Sequence, residues 1–239
     1  MTLLLLACTG AGTPPETVTV AGYIATNPGV QDALAGATVS VRDHTFEEVD
    51  SAVTDDEGFF SVVTTAGVPV YFDLQAEGYV PTAFSGNAGL VDWELALGDL
   101  WIESEDDLAE LEARYAGCPG VGEGGGIIAG EIRFWAEGYE PGDGEEWPMS
   151  TTGFGRAYAT DGESWDSCHL DDSGEAYSAD ALVTGESGQY AIFGGPTGPV
   201  TLTLGYVIEE EPLWGAEYRI YVPDGGIAPL WPSYVPFPG

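Results

Sequence analysis

Residues 50–62 read D-S-A-V-T-D-D-E-G-F-F-S-V, and residues 180–192 read D-A-L-V-T-G-E-S-G-Q-Y-A-I. The shared positions keep one constant spacing and are Thr54 with Thr184, Gly58 with Gly188, and Phe60 with Tyr190. Each copy predicts a strand, a tight turn and a second strand that pairs back across that turn. The chain is therefore expected to contain two copies of one β module.

Length and composition agree with two small β modules. The 239 residues divide into modules of about 100 residues, which is enough for each to bury a usable core. The 44% apolar and 12% aromatic content favours a folded chain, and the 35 glycines and 16 prolines favour many turns and little helix.

The charge balance is strongly acidic. The chain has 40 acidic residues and 5 basic ones, and its formal net charge is -35. Nucleic acid and anionic lipid are therefore not expected as partners, because like charges repel. Three explanations of the charge stay open: a hydrated surface adapted to high salt, divalent-cation binding, and solubility at a crowded cell surface.

The first residues contain a candidate lipidation site. Residues 5–8 read L-L-A-C and resemble the lipobox of bacterial lipoproteins, in which the cysteine, here Cys8, becomes the lipidated first residue. The apolar run before Cys8 is short and has no basic residue, so the alternative is a free cysteine in an uncleaved apolar tail. Residues 9–16 are small, polar and proline-containing, as in a flexible tether. The resemblance implies an exported protein at the outer membrane or cell surface, with the periplasm as the alternative, tethered to a membrane that it does not cross.

The first module is expected to be a sandwich of short strands. Alternating or apolar runs between turn residues predict strands at 17–25, 37–41, 49–54, 59–65, 69–76, 79–84 and 91–102.

Four pieces of this module resemble a known family. They are A-G-Y-I (21–24), L-A-G-A-T-V-S-V (34–41), T-D-D-E-G-F-F-S-V (54–62) and A-E-G-Y-V-P (76–81), in this order. Together they are similar to the carboxypeptidase regulatory-like module, a transthyretin-like β-sandwich, over residues 17–102. The resemblance implies a structural accessory domain without catalytic residues.

The turn chemistry of the first copy fits that sandwich. Asp55 can accept backbone N–H bonds within the turn, and Gly58 can adopt the positive φ that closes it. Phe60 is then expected in the core, with Phe59 outward or at the edge.

A helix is predicted where the β pattern stops, at residues 103–116. Ser104 and Asp107 form a variant of the capping box, and acidic residues fill the first turn. Leu108, Leu111 and Tyr115 share one face, which is expected to pack against a sandwich or between the modules. Residues 117–126 are rich in glycine and are interpreted as a linker.

The second module repeats the pattern with two insertions. Strands are predicted at 127–135, 156–159, 199–207, 216–222 and 227–237, and the insertions at 137–155 and 160–177 are interpreted as loops. The predicted fold is all-β: two transthyretin-like or Ig-like antiparallel sandwiches in tandem with one short connecting helix. The predicted boundaries are 1–16 for signal and tether, 17–102 for module one, 103–125 for helix and linker, and 126–239 for module two.

Cys118 and Cys168 are predicted to form a disulfide, because two remaining cysteines in an exported protein suggest one bond. Zinc is not favoured, since His169 is the only soft ligand nearby. Catalysis finds little support, because no known nucleophile, metalloprotease or phosphate-loop motif occurs.

Two ligand hypotheses concern the second module. Carboxylates that crowd the second insertion are candidate calcium ligands and are Asp161, Glu163, Asp166, Asp171, Asp172 and Glu175. Trp147 and Trp165 lie in polar insertions and could stack on a sugar. The alternatives are a solvated acidic loop and tryptophans that cover the core.

The sequence thus predicts a non-catalytic, surface-anchored structural or adhesive protein. The runner-up is carbohydrate-binding or calcium-dependent recognition through the insertions of module two. The expected partners are the membrane surface, reached through the lipid anchor, and a glycan or protein, with no nucleic acid. Calcium is the one candidate cofactor.

Overall fold

The structure is a computed structural model that describes residues 16–26, 32–135, 149–151, 155–160, 164–171, 173–181, 183–184, 188–208 and 211–236. The predicted lipidation site Cys8 and the tether before Glu16 lie outside these residues.

The first repeat contains short strands and one helix. Its elements are β1 (Thr17–Ala25), β2 (Thr38–Arg42), β3 (Glu48–Val53), β4 (Phe59–Thr65), β5 (Pro69–Gln75), β6 (Tyr79–Val80), β7 (Thr82–Asn87), β8 (Trp93–Glu94), β9 (Leu100–Trp101), β10 (Glu103–Ser104) and α1 (Glu105–Arg114).

The second repeat contains longer strands. Its elements are β11 (Gly126–Trp135), β12 (Met149–Thr151), β13 (Gly155–Thr160), β14 (Ser164–Asp166), β15 (Cys168–His169), β16 (Gln189–Gly195), β17 (Gly198–Ile208), β18 (Glu211–Val222) and β19 (Ile227–Pro236).

Both repeats are β-sandwiches with the same strand topology, so the predicted all-β fold is confirmed. In the first repeat, β1 pairs antiparallel with β4 and parallel with β8 and β9, while β2 lies between β3 and β5, and β5 pairs with β7. In the second repeat, β11 pairs antiparallel with β16 and parallel with β19, while β13 lies between β14 and β17, and β17 pairs with β18. Separate apolar cores fill the two sandwiches.

The repeated turn glycine has the same setting in both sandwiches. Gly58 and Gly188 have φ of 77° and 70°. The Gly58 carbonyl accepts a hydrogen bond from Ile24 N at 3.1 Å, and the Gly188 carbonyl accepts one from Ile132 N at 2.9 Å. These isoleucines belong to β1 and β11, the equivalent strands. The predicted duplication therefore extends to individual hydrogen bonds.

The aromatic ring that follows each glycine is a core residue in both repeats. Phe60 is opposite Gly22 on β1 and is 2% exposed, and Tyr190 is opposite Gly130 on β11 and is 1% exposed. Phe59 is half-buried and packs edge-on against Tyr23, as predicted for a residue at the edge.

The predicted pairing across the first turn is wrong. Asp55 accepts hydrogen bonds from the backbone of Glu57 and Phe59, so the turn itself forms as expected. However, β3 pairs with β2 and β4 pairs with β1, so the turn connects two different sheets. A carboxylate oxygen of Asp50 on β3 accepts from Val63 N on β4 at 2.8 Å and bridges the two strands where a ladder was predicted.

The second copy of the motif lacks its predicted first strand. Residues 180, 181, 183 and 184 form turns and irregular backbone, and only β16 follows the expected pattern. The position next to β13 that corresponds to β3 is taken by β14. The interpretation of 160–177 as a loop insertion is therefore wrong in its described part, which contains both β14 and β15. The interpretation of 137–155 as a loop is likewise wrong at residues 149–151 and 155, which belong to β12 and β13, and β18 begins five residues before the predicted strand at 216–222.

Several other boundaries follow the prediction closely. Strands β1 and β4 have the predicted ends, because strict alternation marks the residues that face the core. The predicted strand at 91–102 is instead two short bridging strands, β8 and β9, separated by a turn in which Asp99 accepts a hydrogen bond from Ala96 N.

Helix α1 begins and ends almost as predicted. The Ser104 hydroxyl accepts from Asp107 N, and the Asp107 carboxylate accepts from Ser104 N, so the capping box is present. Leu108 and Leu111 pack against a third apolar cluster that contains residues from both repeats. The helix therefore lies between the sandwiches, as the sequence suggested.

One sheet continues from the first repeat into the second. The pairing of Ile227 on β19 with Thr82 on β7 joins the two halves, so the described residues include a nine-stranded sheet of order β15-β16-β11-β19-β7-β5-β2-β3, with β12 paired to β11. The repeats thus share backbone hydrogen bonds as well as side-chain contacts.

Candidate functional site

The carboxylates proposed to bind calcium do not converge in the described part of the chain. Asp161, Glu163 and Asp172 lie outside it, and among the described residues no group of three or more His, Cys, Asp or Glu side chains could hold a metal ion. Asp166 and Glu175 are exposed. The calcium site therefore stays a prediction that depends on residues outside the described ranges.

Asp171, another member of that set, already has local hydrogen-bond donors. One of its oxygens accepts from Ser173 Oγ at 2.5 Å and from Ser173 N at 3.1 Å, with Glu175 N at 3.4 Å. The Ser173 hydroxyl is the largest cause that holds the pKa of Asp171 below its ordinary value. This carboxylate closes its own turn.

The structure describes one of the two tryptophans that were proposed to stack on a sugar. Trp147 lies outside the described residues. Trp165 is half-buried, pairs with Ala159 on β13 and packs against the core of the second sandwich. The indole of Trp165 therefore covers a core, and sugar binding there stays a prediction.

The predicted disulfide is present between Cys118 and Cys168. The two Cα atoms are 6.1 Å apart, and 50 residues separate them in sequence. Both cysteines are buried in the apolar cluster that α1 covers. The bond fixes the linker after α1 to β15 of the second sandwich.

A serine–histidine pair that the sequence did not predict lies beside this disulfide. Ser167 Oγ is 2.9 Å from His169 Nε2, and His169 Nδ1 is 3.1 Å from the carbonyl oxygen of Ala181. A carbonyl can only accept, so Nδ1 carries a proton and, in the neutral ring, Nε2 accepts from the serine. The pair lines a cavity of about 230 Å³.

The bonding of this pair is that of a structural contact. Ser167 Oγ accepts from Ala157 N at 3.1 Å, and Ser167 N donates to Ala157 O at 3.0 Å, so the serine replaces a rung of the β-ladder. His169 is only 2% exposed. The hydroxyl and the ring thus connect β13 to the segment around Ala181.

The junction of the repeats contains arginine side chains. Three of the chain's five arginines are described there. Arg42 Nη2 is 3.1 Å from a carboxylate oxygen of Asp73, and its guanidinium lies 4.4 Å from the ring centre of Tyr221 on β18. The guanidinium of Arg219, also on β18, lies 4.8 Å from the ring centre of Phe46. Each of these two cations therefore contacts an aromatic ring of the opposite repeat.

These contacts explain why β5 is buried on both faces. Asp73 is 3% exposed although its neighbours Phe72 and Leu74 already face the first core. Tyr71 is also buried and stacks on Phe46, with ring centres 4.5 Å apart. Strand β18 of the second repeat covers this outer face, and burial raises the pKa of Tyr71.

Arg114, at the end of α1, joins the helix to the second sandwich. One of its nitrogens donates to Gln189 Oε1 at 2.6 Å and to the carbonyl of Gly174 at 3.1 Å. Tyr115 follows it, is 1% exposed and packs on Phe193 of β16. The helix end therefore has polar and apolar contacts with the same sandwich.

A cavity of about 150 Å³ lies between α1 and the sandwiches and contains a perturbed carboxyl. Glu103 and Asp107 line it together with Arg114 and Ile227. Burial raises the pKa of Glu103, the Trp101 indole N–H donated to it lowers the pKa, and the charge of Asp107 raises it further. The cavity is acidic and small, and its carboxyls are mostly engaged in capping and indole contacts.

A second cleft opens beside β7 in the first sandwich. It has a volume of about 270 Å³, and its lining residues are Phe72, Phe84, Ser85, Gly86, Trp93, Leu95, Asp99, Leu100, Trp101, Pro229 and Leu230. Trp93 and Trp101 are half-buried there, and Trp101 packs edge-on against Phe84. Sequence reasoning placed the candidate tryptophans in the second repeat, because polar insertions occur there.

Comparison with known proteins gives no family. No family model matches the chain, and no curated protein matches it. The resemblance to carboxypeptidase regulatory-like modules therefore stays a prediction.

Several solved structures share a low level of structural similarity with the chain. The Bacillus anthracis TIE protein has a TM-score of 0.29 at 8% identity, over 92% of this chain and 34% of that protein. The shaft pilin SpaA of Lactobacillus rhamnosus GG has a TM-score of 0.28 at 10% identity, over 94% of this chain and 98% of the pilin. A minor pilin of Streptococcus agalactiae has a TM-score of 0.28 at 11% identity, over 94% and 97% of the two chains. TM-scores this low carry no argument about this chain, and its β-sandwich class stands on its own strand topology.

In the part of the chain that the structure describes, no helix has the length and apolar character needed to cross a bilayer.

Proposed function

We propose that the protein is a non-catalytic structural or adhesive module, held at the outside of a membrane by a lipid on Cys8. The single observation that carries the proposal is the construction of the junction. A continuous sheet, a capped helix that packs on residues of both repeats and two arginine–aromatic contacts join one sandwich to the other. A disulfide also fixes the linker after the helix to the second sandwich. A junction with so many contacts is suited to a rigid spacer, whereas repeats joined only by a flexible linker would move independently.

The acidic surface supports the same role. Arg42, Arg114 and Arg219 are all used within the junction, so they do not offset the carboxylates exposed elsewhere. A net charge of -35 keeps such a module soluble and repels other acidic surfaces.

The lack of catalysis in this proposal is supported by the Ser167–His169 pair. Both side chains have structural hydrogen bonds, and the histidine is buried.

Metabolic labelling with an alkyne fatty acid tests the anchor. The wild-type protein is expected to carry the label and to fractionate with membranes, and Cys8→Ala is expected to lose both properties. Cys118→Ala is the matched control, because it removes a cysteine that the structure places in a disulfide. Equal labelling of the wild type and Cys8→Ala would refute the lipid anchor.

Calcium-dependent or glycan recognition by the second repeat remains the alternative. Its candidate residues are Asp161, Glu163, Asp166, Asp171, Asp172, Glu175, Trp147 and Trp165. A melting temperature that calcium raises and a chelator lowers would support calcium, and a change of tryptophan fluorescence on sugar titration would support a glycan.

A further inference from the structure

We infer that the cleft beside β7 is a binding site for an extended peptide segment of a partner protein, which would add a strand to the free edge of β7. Two independent features of the described residues carry this inference: an unpaired strand edge and an aromatic-lined cleft at the same place.

The first feature is the edge of β7. On one side β7 pairs with β5 along its whole length, from Thr82 to Asn87. On the other side its pairing with β19 is restricted to Thr82 with Ile227. Beyond that point β19 continues along β11, and no other described strand pairs with β7. Pro81 C=O accepts from Ile227 N, so the odd-numbered residues of β7 point their backbone groups to this edge. Ser85 and Asn87 therefore present N–H and C=O groups that an incoming strand can bind.

The second feature is the cleft that this edge borders. Phe84, Ser85 and Gly86 of β7 form one wall, and Pro229 and Leu230 of β19 close one end. Trp93 and Trp101 come from the opposite sheet of the first sandwich, so the cleft is an opening between the two sheets. An extended segment that pairs with β7 would direct every second side chain towards this apolar interior.

The indole of Trp101 is held in place before any ligand binds. Its Nε1 donates to Glu103 at 2.9 Å, and its ring contacts Phe84. A preorganised wall lowers the entropy that binding would cost.

The acidic surroundings of the cleft favour a peptide segment with basic residues. Asp99 lines the cleft, and no lysine or arginine is among its described lining residues. Asp92 and Glu94 flank Trp93 and are exposed. With a net charge of -35 on the whole chain, the favoured segment alternates apolar residues with neutral ones and carries basic residues at its ends. This chemistry disfavours a second copy of this acidic chain.

A short peptide with the sequence Lys-Thr-Leu-Thr-Val-Thr-Lys, blocked at both ends, is the probe. Binding to the full-length protein is measured by titration calorimetry and by hydrogen exchange of the backbone amides. The peptide is expected to bind saturably and to slow exchange of the Ser85 and Asn87 amides, which do not face β5. The same peptide with N-methyl groups on the amides of one edge is expected to bind about tenfold more weakly or not at all, because several backbone hydrogen bonds are lost.

Charge is tested with a variant and a matched control. Asp99→Asn is expected to weaken binding of the basic peptide about threefold and to improve binding of a peptide with glutamate in place of lysine. Asp56→Asn removes an exposed carboxylate from a distant turn and is expected to change neither affinity.

Three results would overturn the inference. Unchanged exchange at Ser85 and Asn87 with a saturating peptide would show that the edge is not the site. If the N-methylated peptide bound with the same affinity as the unmodified peptide, the cleft would bind peptides only as a non-specific apolar surface. Protection of the Ser85 and Asn87 amides without peptide would mean that the cleft is already filled: by residues 1–15 if deleting them removes the protection, or by a second copy if dilution removes it. The inference needs no lipid on Cys8, so it and the proposed anchor can fail separately.

Discussion

At the scale of single residues, the two turn glycines are constrained twice. Each has a positive φ, which side chains other than glycine adopt only with strain. Each also lacks room for a Cβ, which would lie 2.7 Å from Ala33 Cβ at Gly58 and 2.5 Å from Ile132 O at Gly188. Gly36 has a similar φ of 76°, but a Cβ added there would meet nothing within 4 Å. A substitution at Gly36 therefore tests the backbone strain without a steric clash.

Alanine substitutions separate these two constraints. Gly36→Ala is expected to lower the free energy of unfolding by about 1 kcal/mol, from backbone strain alone. Gly188→Ala is expected to cost about 2–4 kcal/mol, because the clash adds to that strain. Urea unfolding of the purified variants measures both. Equal losses in the two variants would show that the space around Gly188 can relax.

Glu103 predicts a pH dependence at the same scale. Burial raises its pKa in the folded protein, so folding favours the protonated form. The contribution of Glu103 to the free energy of unfolding is therefore most favourable at low pH. This contribution is lost as the pH rises through the pKa of Glu103 in the folded protein. Glu103→Gln is expected to raise the free energy of unfolding at pH 7 and to gain less at pH 4, in denaturant unfolding at the two pH values. A gain that grows on acidification would contradict the sign of the shift. Glu77→Gln, which changes an exposed carboxylate that does not line this cavity, is the control.

At the scale of elements, β5 shows how the second repeat covers the first. Its outer-face residue Asp73 is buried with Arg42 as its partner. Removing one partner leaves a charge buried without compensation, whereas replacing both with apolar residues removes the need for compensation.

The Arg42–Asp73 pair therefore predicts non-additive stability. Asp73→Leu alone is expected to cost about 3 kcal/mol, and the double variant Arg42→Met with Asp73→Leu is expected to cost less than that single change. Chemical denaturation of the two single variants and the double variant completes the cycle. A double variant that loses the sum of both single losses would show that the pair is not coupled.

The elements also show what local sequence determines. The alternation of apolar and polar residues predicted the ends of β1 and β4, and a capping box at Ser104 predicted the start of α1. These signals could be found because they depend only on neighbouring residues. Alternation cannot tell which strand lies beside another. For this reason the strands on either side of the Gly58 turn were predicted to pair, although they belong to different sheets.

Candidate sites were harder to predict for the same physical reason. The Cys118–Cys168 bond followed from counting cysteines, which needs no knowledge of the fold. The contact of Arg42 with Tyr221 and the cleft around Trp101 depend on residues far apart in the chain. The contacts between the two repeats bring these residues together, among them the pairing of Ile227 on β19 with Thr82 on β7.

At the scale of the whole molecule, the disulfide contributes to the fixed junction. It closes a segment of 50 residues, for which the loss of chain entropy in the unfolded state corresponds to about 4 kcal/mol. Reduction, or the double variant Cys118→Ala with Cys168→Ala, is expected to lower the free energy of unfolding by about 2–4 kcal/mol. Calorimetry with and without reductant measures the change, and an unchanged melting temperature would show that the other junction contacts suffice.

The central claim is that two copies of one sandwich form a single rigid unit. Spin labels at Ser61 on β4 and Glu217 on β18, both exposed and in different repeats, test it most directly by pulsed electron resonance in a Cys8→Ala background. The account predicts one narrow distance distribution that does not change with salt. A broad distribution, or two populations, would contradict it.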